Sequence, residues 1–331
     1  MATDWLQIFP EKVKAALSRL PLPLLETVEE IRIREGRPLE INYGGKYHFV
    51  DEAGRLTLEP EEAYKPNRED SHRMLDLISN HSLYTMEEEL RKGFITIPGG
   101  HRIGLAGRTV LSSGSVGHLR DIGGFNVRIA REIPGVADRI LPLLLDDSRR
   151  RVMHTLILSP PQHGKTTLLR DLARQISAGS AGDSWRRPGL KVGIVDERSE
   201  IAGSRKGVPS FDIGPRTDVL DGCPKAEGMM MMIRSLSPDV LIADEIGRPE
   251  DAEALTEALH AGITVLAAAH GREVSELALR PGLGRIIELG VFERYVILRR
   301  AAGELTFRVL DGRKRPLPAS PGERKGGECH A

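Results

Sequence analysis

The apolar run Thr155-Leu156-Ile157-Leu158 leads into Ser159-Pro160-Pro161-Gln162-His163-Gly164-Lys165-Thr166-Thr167, and this into Leu168-Leu169-Arg170-Asp171-Leu172-Ala173-Arg174-Gln175-Ile176. The order predicts a strand, a phosphate-binding loop and a helix. The physics of such a loop is narrow. Successive backbone N–H groups wrap a polyphosphate, and the helix N-terminus adds a favourable dipole. Lys165 can reach the β- and γ-phosphates and the Thr166 hydroxyl can ligate Mg²⁺. The pattern G-x-x-x-x-G-K-[ST] is met from Gly164 onward, with Ser159 at the place of the first glycine. A lone Gly-Lys-Thr would be weak evidence beside a chance turn of small residues. The flanking strand and helix give the pattern its force. The expected loop is Ser159, Pro160, Pro161, Gln162, His163, Gly164, Lys165, Thr166 and Thr167, with ATP and Mg²⁺ as ligands.

Such a loop needs a second strand that ends in acid. Pro238-Asp239-Val240-Leu241-Ile242-Ala243-Asp244-Glu245-Ile246 supplies it. Four apolar residues followed by two acids suit a buried parallel strand that ends at the carboxyl edge of a sheet, where ligands of open α/β folds sit. Asp244 is the expected Mg²⁺ partner, and Glu245 is expected to orient or deprotonate the attacking water. A strand that ends in merely solvated acids is the plain alternative.

Residues 190–201 hold another apolar strand that ends in acids, Val195-Asp196-Glu197-Arg198. Glu197 is a candidate for assisting Mg²⁺ or water, and Arg198 a candidate structural partner of Asp196. A fourth strand over residues 263–269 ends in His270, which can sense the γ-phosphate or simply be solvated.

Composition bounds the function. Apolar residues make up 40% and charged residues 28%, an ordinary globular balance, and 47 basic residues offset 47 acidic ones. Bulk attraction to nucleic acid or anionic lipid is therefore not expected, and 4% aromatics supply a stacking platform poorly. Cys223 and Cys329 lie far apart, without metal spacing or a disulfide framework, which fits a reducing cytoplasm. Residues 1–20 lack a signal-peptide core, and no stretch approaches the roughly 18 apolar residues of a membrane span.

The expected fold class is α/β: a RecA-like P-loop NTPase core with a smaller N-terminal α+β domain. The expected division is an α+β domain over residues 1–130, a connector over 131–150, the ATPase core over 151–310 and a disordered tail over 311–331. Residues 4–20 read as one helix, 28–34 as a half-buried strand, 67–80 and 86–92 as helices, and 93–110 as a hairpin turning at Gly99-Gly100. Residues 295–309 read as a terminal hairpin. The loop 203–228 is rich in glycine and proline, and Gly214-Pro215-Arg216-Thr217-Asp218 within it reads as a mobile segment near the nucleotide. The run Met229–Met232 reads as core filler, with an exposed partner surface as the sharper alternative.

These residues resemble the stage III sporulation protein AA family of endospore-forming bacteria. The likeness lies in Ile31-Arg32-Ile33-Arg34-Glu35-Gly36-Arg37-Pro38-Leu39, Gly99-Gly100-His101-Arg102-Ile103-Gly104, the P-loop segment through Asp171, Val195-Asp196-Glu197-Arg198-Ser199-Glu200-Ile201 and Ala243-Asp244-Glu245-Ile246-Gly247. The family is in turn similar to type II and type IV secretion ATPases and pilus motors. The resemblance implies an ATPase at the mother-cell face of the engulfing membrane, serving a channel built from products of the same operon. It also implies an acidic box at Asp196-Glu197 and a histidine box at His270. The tetracysteine site of some type II secretion ATPases is not present.

Motors of this type are usually homo-hexameric rings in which a neighbour's arginine neutralises the γ-phosphate. The candidates are Arg102, Arg108, Arg120, Arg128 and Arg216. Hydrolysis would then swing the N-terminal domain against the core. Two rivals remain: a RecA-like nucleic-acid motor, which predicts DNA-stimulated turnover, and a nucleotide-gated scaffold in which hydrolysis is incidental.

Overall fold

The computed structural model describes residues 4–79, 90, 91, 93–97, 99–112, 114–146, 148, 151–161, 163–181, 185, 186, 189–204, 206–288, 290–301 and 304–317. Two compact units account for the chain: residues 1–131 with 203–211, and residues 132–202 with 212–331.

In the first unit seven strands form an antiparallel sheet: β1 (Val28–Arg34), β2 (Glu40–Tyr43), β3 (Lys46–Val50), β4 (Leu56–Thr57), β5 (Phe94–Ile97), β6 (His101–Ser112) and β7 (Ser115–Arg128), in the order β4-β3-β2-β1-β7-β6-β5. In β1 the expected alternation holds from Ile31 on: Ile31 and Ile33 are fully buried while Arg32 and Arg34 reach out to pair with Glu30 and Glu40, and before it the register shifts between Val28 and Glu30, so that Glu30 and Ile31 are buried in succession. The expected N-terminal helix is two elements, a 3₁₀ turn Asp4–Ile8 and a helix Glu11–Ser18. The break falls at Pro10, which has no N–H to carry the first helix onward. The helix expected over 67–80 runs Arg68–Ser79. Asn67 and Asp70 cap it reciprocally, with Asp70 N–H donating to Asn67 Oδ1 at 3.0 Å and Asn67 N–H to Asp70 Oδ2 at 2.9 Å. The helix expected over 86–92 falls outside the described residues apart from 90 and 91.

The Gly99-Gly100 turn joins β5 to β6 as expected. At Gly100, with φ +69°, a Cβ would lie 2.5 Å from the Phe211 ring, so glycine lets residues 203–211 pack closely there. His101, just after the turn, accepts the Ala130 N–H at Nδ1 (3.1 Å), and burial pulls its pKa down to about 4. The folded state therefore holds this proton less well than the unfolded chain. Stability from this group is fully present above about pH 6.5 and is lost as pH falls toward about 4. Urea unfolding of the wild type should show that loss between these limits, on the order of 3 kcal/mol at most. His101→Gln should flatten it, and an unchanged profile in that variant would place the acid sensitivity elsewhere.

The second unit is built on a sheet of order β14-β13-β15-β16-β10-β17-β18. Short pairs, β8 (Leu145–Asp146) with β9 (Arg151–Val152) and β11 (Ser180–Ala181) with β12 (Trp185–Arg186), flank it. The strands of the main sheet are β10 (Thr155–Ser159), β13 (Val192–Asp196), β14 (Thr217–Asp221), β15 (Val240–Ala243), β16 (Thr264–His270), β17 (Arg294–Ala301) and β18 (Glu304–Asp311). Pairing is parallel from β14 through β17, and only β18 is antiparallel. β10, β13 and β15 are buried along their whole length, because helices cover both faces of a parallel sheet.

Four local expectations are revised here. The connector stretch is part of this unit from Glu132 on: Ala137, Ile140, Leu141 and Leu144 are core residues, and Ala137 N–H donates to Asp171 Oδ2 at 2.8 Å. Its apolar residues pay off burial against the P-loop helix better than exposure. Residues 217–221, read as loop, form the edge strand β14, whose half-exposed pattern hides the usual apolar signal. The segment 214–217 does not sit beside the phosphate loop. Arg216 N–H donates to Ser177 Oγ at 2.5 Å and its guanidinium to Ser177 O at 3.2 Å, at the C-terminal end of the helix Lys165–Ala178, some 18 Å from the loop at about 1.5 Å per residue. Finally, residues 311–317 are not disordered: Asp311 N–H donates to Arg315 O at 2.8 Å and Leu317 N–H to Val309 O at 2.9 Å. Residues 318–331 lie outside the described set.

Candidate functional site

Parallel pairing brings the carboxyl ends of β10, β16, β15 and β13 to one edge, in that order. β10 ends at Ser159 and the chain turns into the helix Lys165–Ala178 through Gly164. Gly164 adopts φ +83°, a conformation open to glycine, and this turn aims the first N–H groups of the helix at the loop's concave side. Of the nine expected loop residues, Gln162 lies outside the described set. Ser159 is fully buried; its hydroxyl donates to Pro160 O at 2.7 Å and accepts from Lys165 Nζ at 3.3 Å. Serine at the first-glycine position thus gives the lysine an extra acceptor. His163 bonds through Nδ1 to Pro161 O at 2.7 Å, and Thr167 is half-buried in the first helical turn.

Lys165 is the hub. It is buried, and burial pulls its pKa down while Asp244, Glu245 and Glu200 pull it up. Its ammonium lies 2.9 Å from His270 Nδ1. An ammonium has no lone pair, so Nδ1 accepts and the ring proton stands on Nε2. That nitrogen donates to Glu245 Oε1 at 3.0 Å. The other oxygen of Glu245 takes the Arg198 guanidinium at 2.6 Å. Lys165, His270, Glu245 and Arg198 therefore form one continuous chain of polar contacts. Glu245 holds φ +51°, unusual outside glycine and the kind of strain that concentrates at functional sites. Burial raises its pKa, but Arg198, the His270 bond and Lys165 together outweigh this and hold it below the ordinary carboxylate value.

Thr166 Oγ1 donates to Asp244 Oδ2 at 2.8 Å, and Asp244 Oδ1 accepts the Glu245 N–H at 2.7 Å. Burial pushes the Asp244 pKa up, against Thr166 and Lys165. A hydroxyl and one carboxylate side by side, with no further protein ligand needed, suit Mg²⁺, which keeps waters and takes phosphate oxygens for the rest of its octahedron. A bound cation would also remove the cost of ionising Asp244 in its buried place.

Asp196 and Glu197 differ in what they touch. Asp196 accepts the N–H groups of Glu200, Ile201 and Ala202, each at 2.9 Å, and burial raises its pKa to about 6. It shapes the loop. Arg170, from the P-loop helix, clamps the same loop by donating to Ile201 O at 2.5 Å and Glu200 O at 2.7 Å. Glu197 pairs with the buried Lys225 and lines a recess shared with Asp244 and Glu245. The residues that sequence reasoning passed over are Lys225, Arg170 and the true partner of Arg198, which is Glu245 and not Asp196. No local signal marks these contacts, which span long stretches of chain.

A central P-loop strand, an acid-ended strand two positions away and a histidine-ended strand between them define a RecA-like P-loop NTPase fold. Solved structures agree: the Legionella pneumophila ATPase DotB aligns with TM-score 0.53 at 16% identity, covering 91% of this chain and 79% of its own. The pilus retraction motor PilT with bound ADP aligns with TM-score 0.55 at 15% identity, covering 91% and 82%. The model of sporulation stage III, protein AA matches residues 3–314, and the stage III sporulation protein AA of Bacillus subtilis (strain 168) is 51% identical over 297 residues, 90% of this chain and 91% of its own. The chain belongs to the stage III sporulation protein AA family. No helix among the described residues is long and apolar enough to cross a membrane.

Proposed function

We propose that the chain is a Mg²⁺-dependent ATP hydrolase that works as a homo-oligomeric ring, a hexamer by analogy with secretion motors, and energises or assembles a mother cell–forespore channel. The carrying observation is the contact chain from Lys165 through His270 to Glu245, beside the Thr166–Asp244 pair. The loop N–H groups and Lys165 bind the β- and γ-phosphates. Thr166 and Asp244 hold Mg²⁺, which neutralises phosphate charge. Glu245, kept ionised by Arg198 and His270, orients and deprotonates water. His270, touching both Lys165 and Glu245, reports phosphate occupancy to the base. A neighbour's arginine completes the site. Arg102 lies 3.8 Å over the Phe94 ring, Arg120 bonds His118 and Arg216 is tied to Ser177, and among the described residues Arg128, at the end of β7, has no such tie, which makes it the candidate. The test is phosphate release by the purified chain, with and without membranes carrying the channel proteins. Absence of turnover with intact ATP binding favours the nucleotide-gated scaffold.

Arg198 supplies a finer test. In Arg198→Ala the Glu245 carboxylate loses its strongest cation, so its pKa rises. The acid limb of kcat should move to higher pH, with the loss of turnover largest on the acid side of neutrality, and Arg198→Lys should restore part of it. A fall in turnover with an unmoved acid limb would remove Arg198 from control of the base.

A further inference from the structure

β6 and β7 run on beyond the sheet. β5 pairs with residues 101–104 of β6 and β1 with residues 124–128 of β7, so the intervening part is a two-stranded ribbon. Its base is anchored where Ile122, Leu105 and Leu119 join the core of the first unit, and the part beyond is a ribbon of the kind that is marginal in water unless something packs on it. At its neck the register shifts between Ala106 and Arg108, and a Cβ on Gly107 would lie 2.6 Å from Arg120 O, so the ribbon bends there. Its tip exposes a cross-strand apolar pair, Leu111 (66% exposed) and Val116 (49%). Behind the tip Arg108 stands directly opposite Arg120, a like-charge pairing that costs stability. Arg120 bonds His118, and among the described residues no carboxylate pairs with either arginine.

The second unit carries the complement. A groove of about 970 Å³ lies between the helices Lys225–Ser235, Pro249–His260 and Pro281–Glu288. The methionine run divides here: Met229 and Met232 are fully buried in the core, while Met230 and the 51%-exposed Met231 face the groove. Glu227, Glu250, Glu253 and Glu257 line it with exposed carboxylates, the last three spaced to share one helix face, and they outnumber Arg234 and Arg285, which line it too.

We propose that the β6–β7 hairpin of one copy of this chain seats in this groove of a neighbouring copy, with Leu111 and Val116 on the methionine floor and Arg108 and Arg120 against the glutamates. Apolar tip meets apolar floor, and two unneutralised guanidinium groups meet three carboxylates. The two surfaces differ, so the contact is head-to-tail and propagates into a ring or filament rather than closing a two-fold dimer. It rests on the reading that copies of the chain assemble, not on ATP hydrolysis, and it assigns Arg108 and Arg120 to assembly rather than to phosphate.

Two measurements test it in the full-length chain. Arg108→Glu with Arg120→Glu should raise the concentration for half-assembly, read by light scattering, by roughly 10–100-fold. Adding Glu253→Arg and Glu257→Arg should recover assembly. Independently, in a Cys223→Ser, Cys329→Ser background, mixing a Leu111→Cys chain with a Met231→Cys chain should give an interchain disulfide that neither gives with the unsubstituted chain. Unchanged assembly in the arginine reversal, no recovery in the folded quadruple variant, or no mixed disulfide in assembled protein would each overturn the contact. Unchanged assembly with lost binding to anionic phospholipid vesicles would overturn it in favour of a membrane surface. A wild type that stays monomeric overturns the contact, and Mg²⁺-dependent binding of a fluorescent ATP analogue on the same sample shows whether the nucleotide reading fails with it.

Discussion

Lys165→Ala is expected to abolish ATP hydrolysis and to weaken nucleotide binding together. The ammonium is the one cation of the loop itself and the start of the contact chain to His270 and Glu245. Loss of a fixed charge aimed at the phosphates costs on the order of 10²–10³-fold in turnover, with a matching loss of affinity for the triphosphate. The fold should survive. Burial already disfavours this charge, and its hydrogen bonds to Ser159 O and Pro160 O are long, at 3.4 and 3.5 Å, so removing it leaves few strong bonds broken. The thermal midpoint should therefore stay level or rise while activity disappears. Unchanged turnover in the folded variant would sink the P-loop assignment. Loss of activity with collapse of the fold would make Lys165 structural.

Glu245→Gln should separate the two steps that Lys165 joins. The amide keeps the size, and its oxygen can still accept from His270 Nε2, but it cannot take a proton from water. ATP affinity should change only a few-fold, while turnover falls by roughly 10²-fold or more. The variant should therefore trap the triphosphate-bound state, which makes it the background of choice for testing whether the chain assembles. If binding and turnover drop together, Glu245 is structural and Glu197 becomes the candidate for the water-orienting role. The geometry makes that substitute a weak one, because Glu197 is already engaged by the buried Lys225.

The division between what could and could not be read from the chain follows the reach of each interaction. The strand–loop–helix at 155–176 was legible because its meaning is local: apolar run, glycine turn, lysine, hydroxyl and amphipathic helix follow one another. The acid-ended strand at 240–245 was legible for the same reason, and so was the terminal hairpin at 294–311. Edge strand β14 was not, because exposure on one side erases the apolar run that marks its buried neighbours. Residues 137–144 were hidden as well: a short apolar stretch among prolines reads as linker until a helix arrives to cover it.

Sequence alone named the residues at the edge of the sheet that are proposed to cradle phosphate, to hold a cation and to act as base. Only the tertiary structure decided how they are wired. His270 meets Lys165 and Glu245 because β16 is inserted between β10 and β15, an outcome of strand order that no local pattern encodes. Arg198 meets Glu245 rather than Asp196 because three backbone N–H groups already occupy the Asp196 carboxylate. The physical reason is common to both. A side chain's type is written in one residue, but its partner is chosen by burial and by competition among groups that the folded sheet brings within a few ångströms.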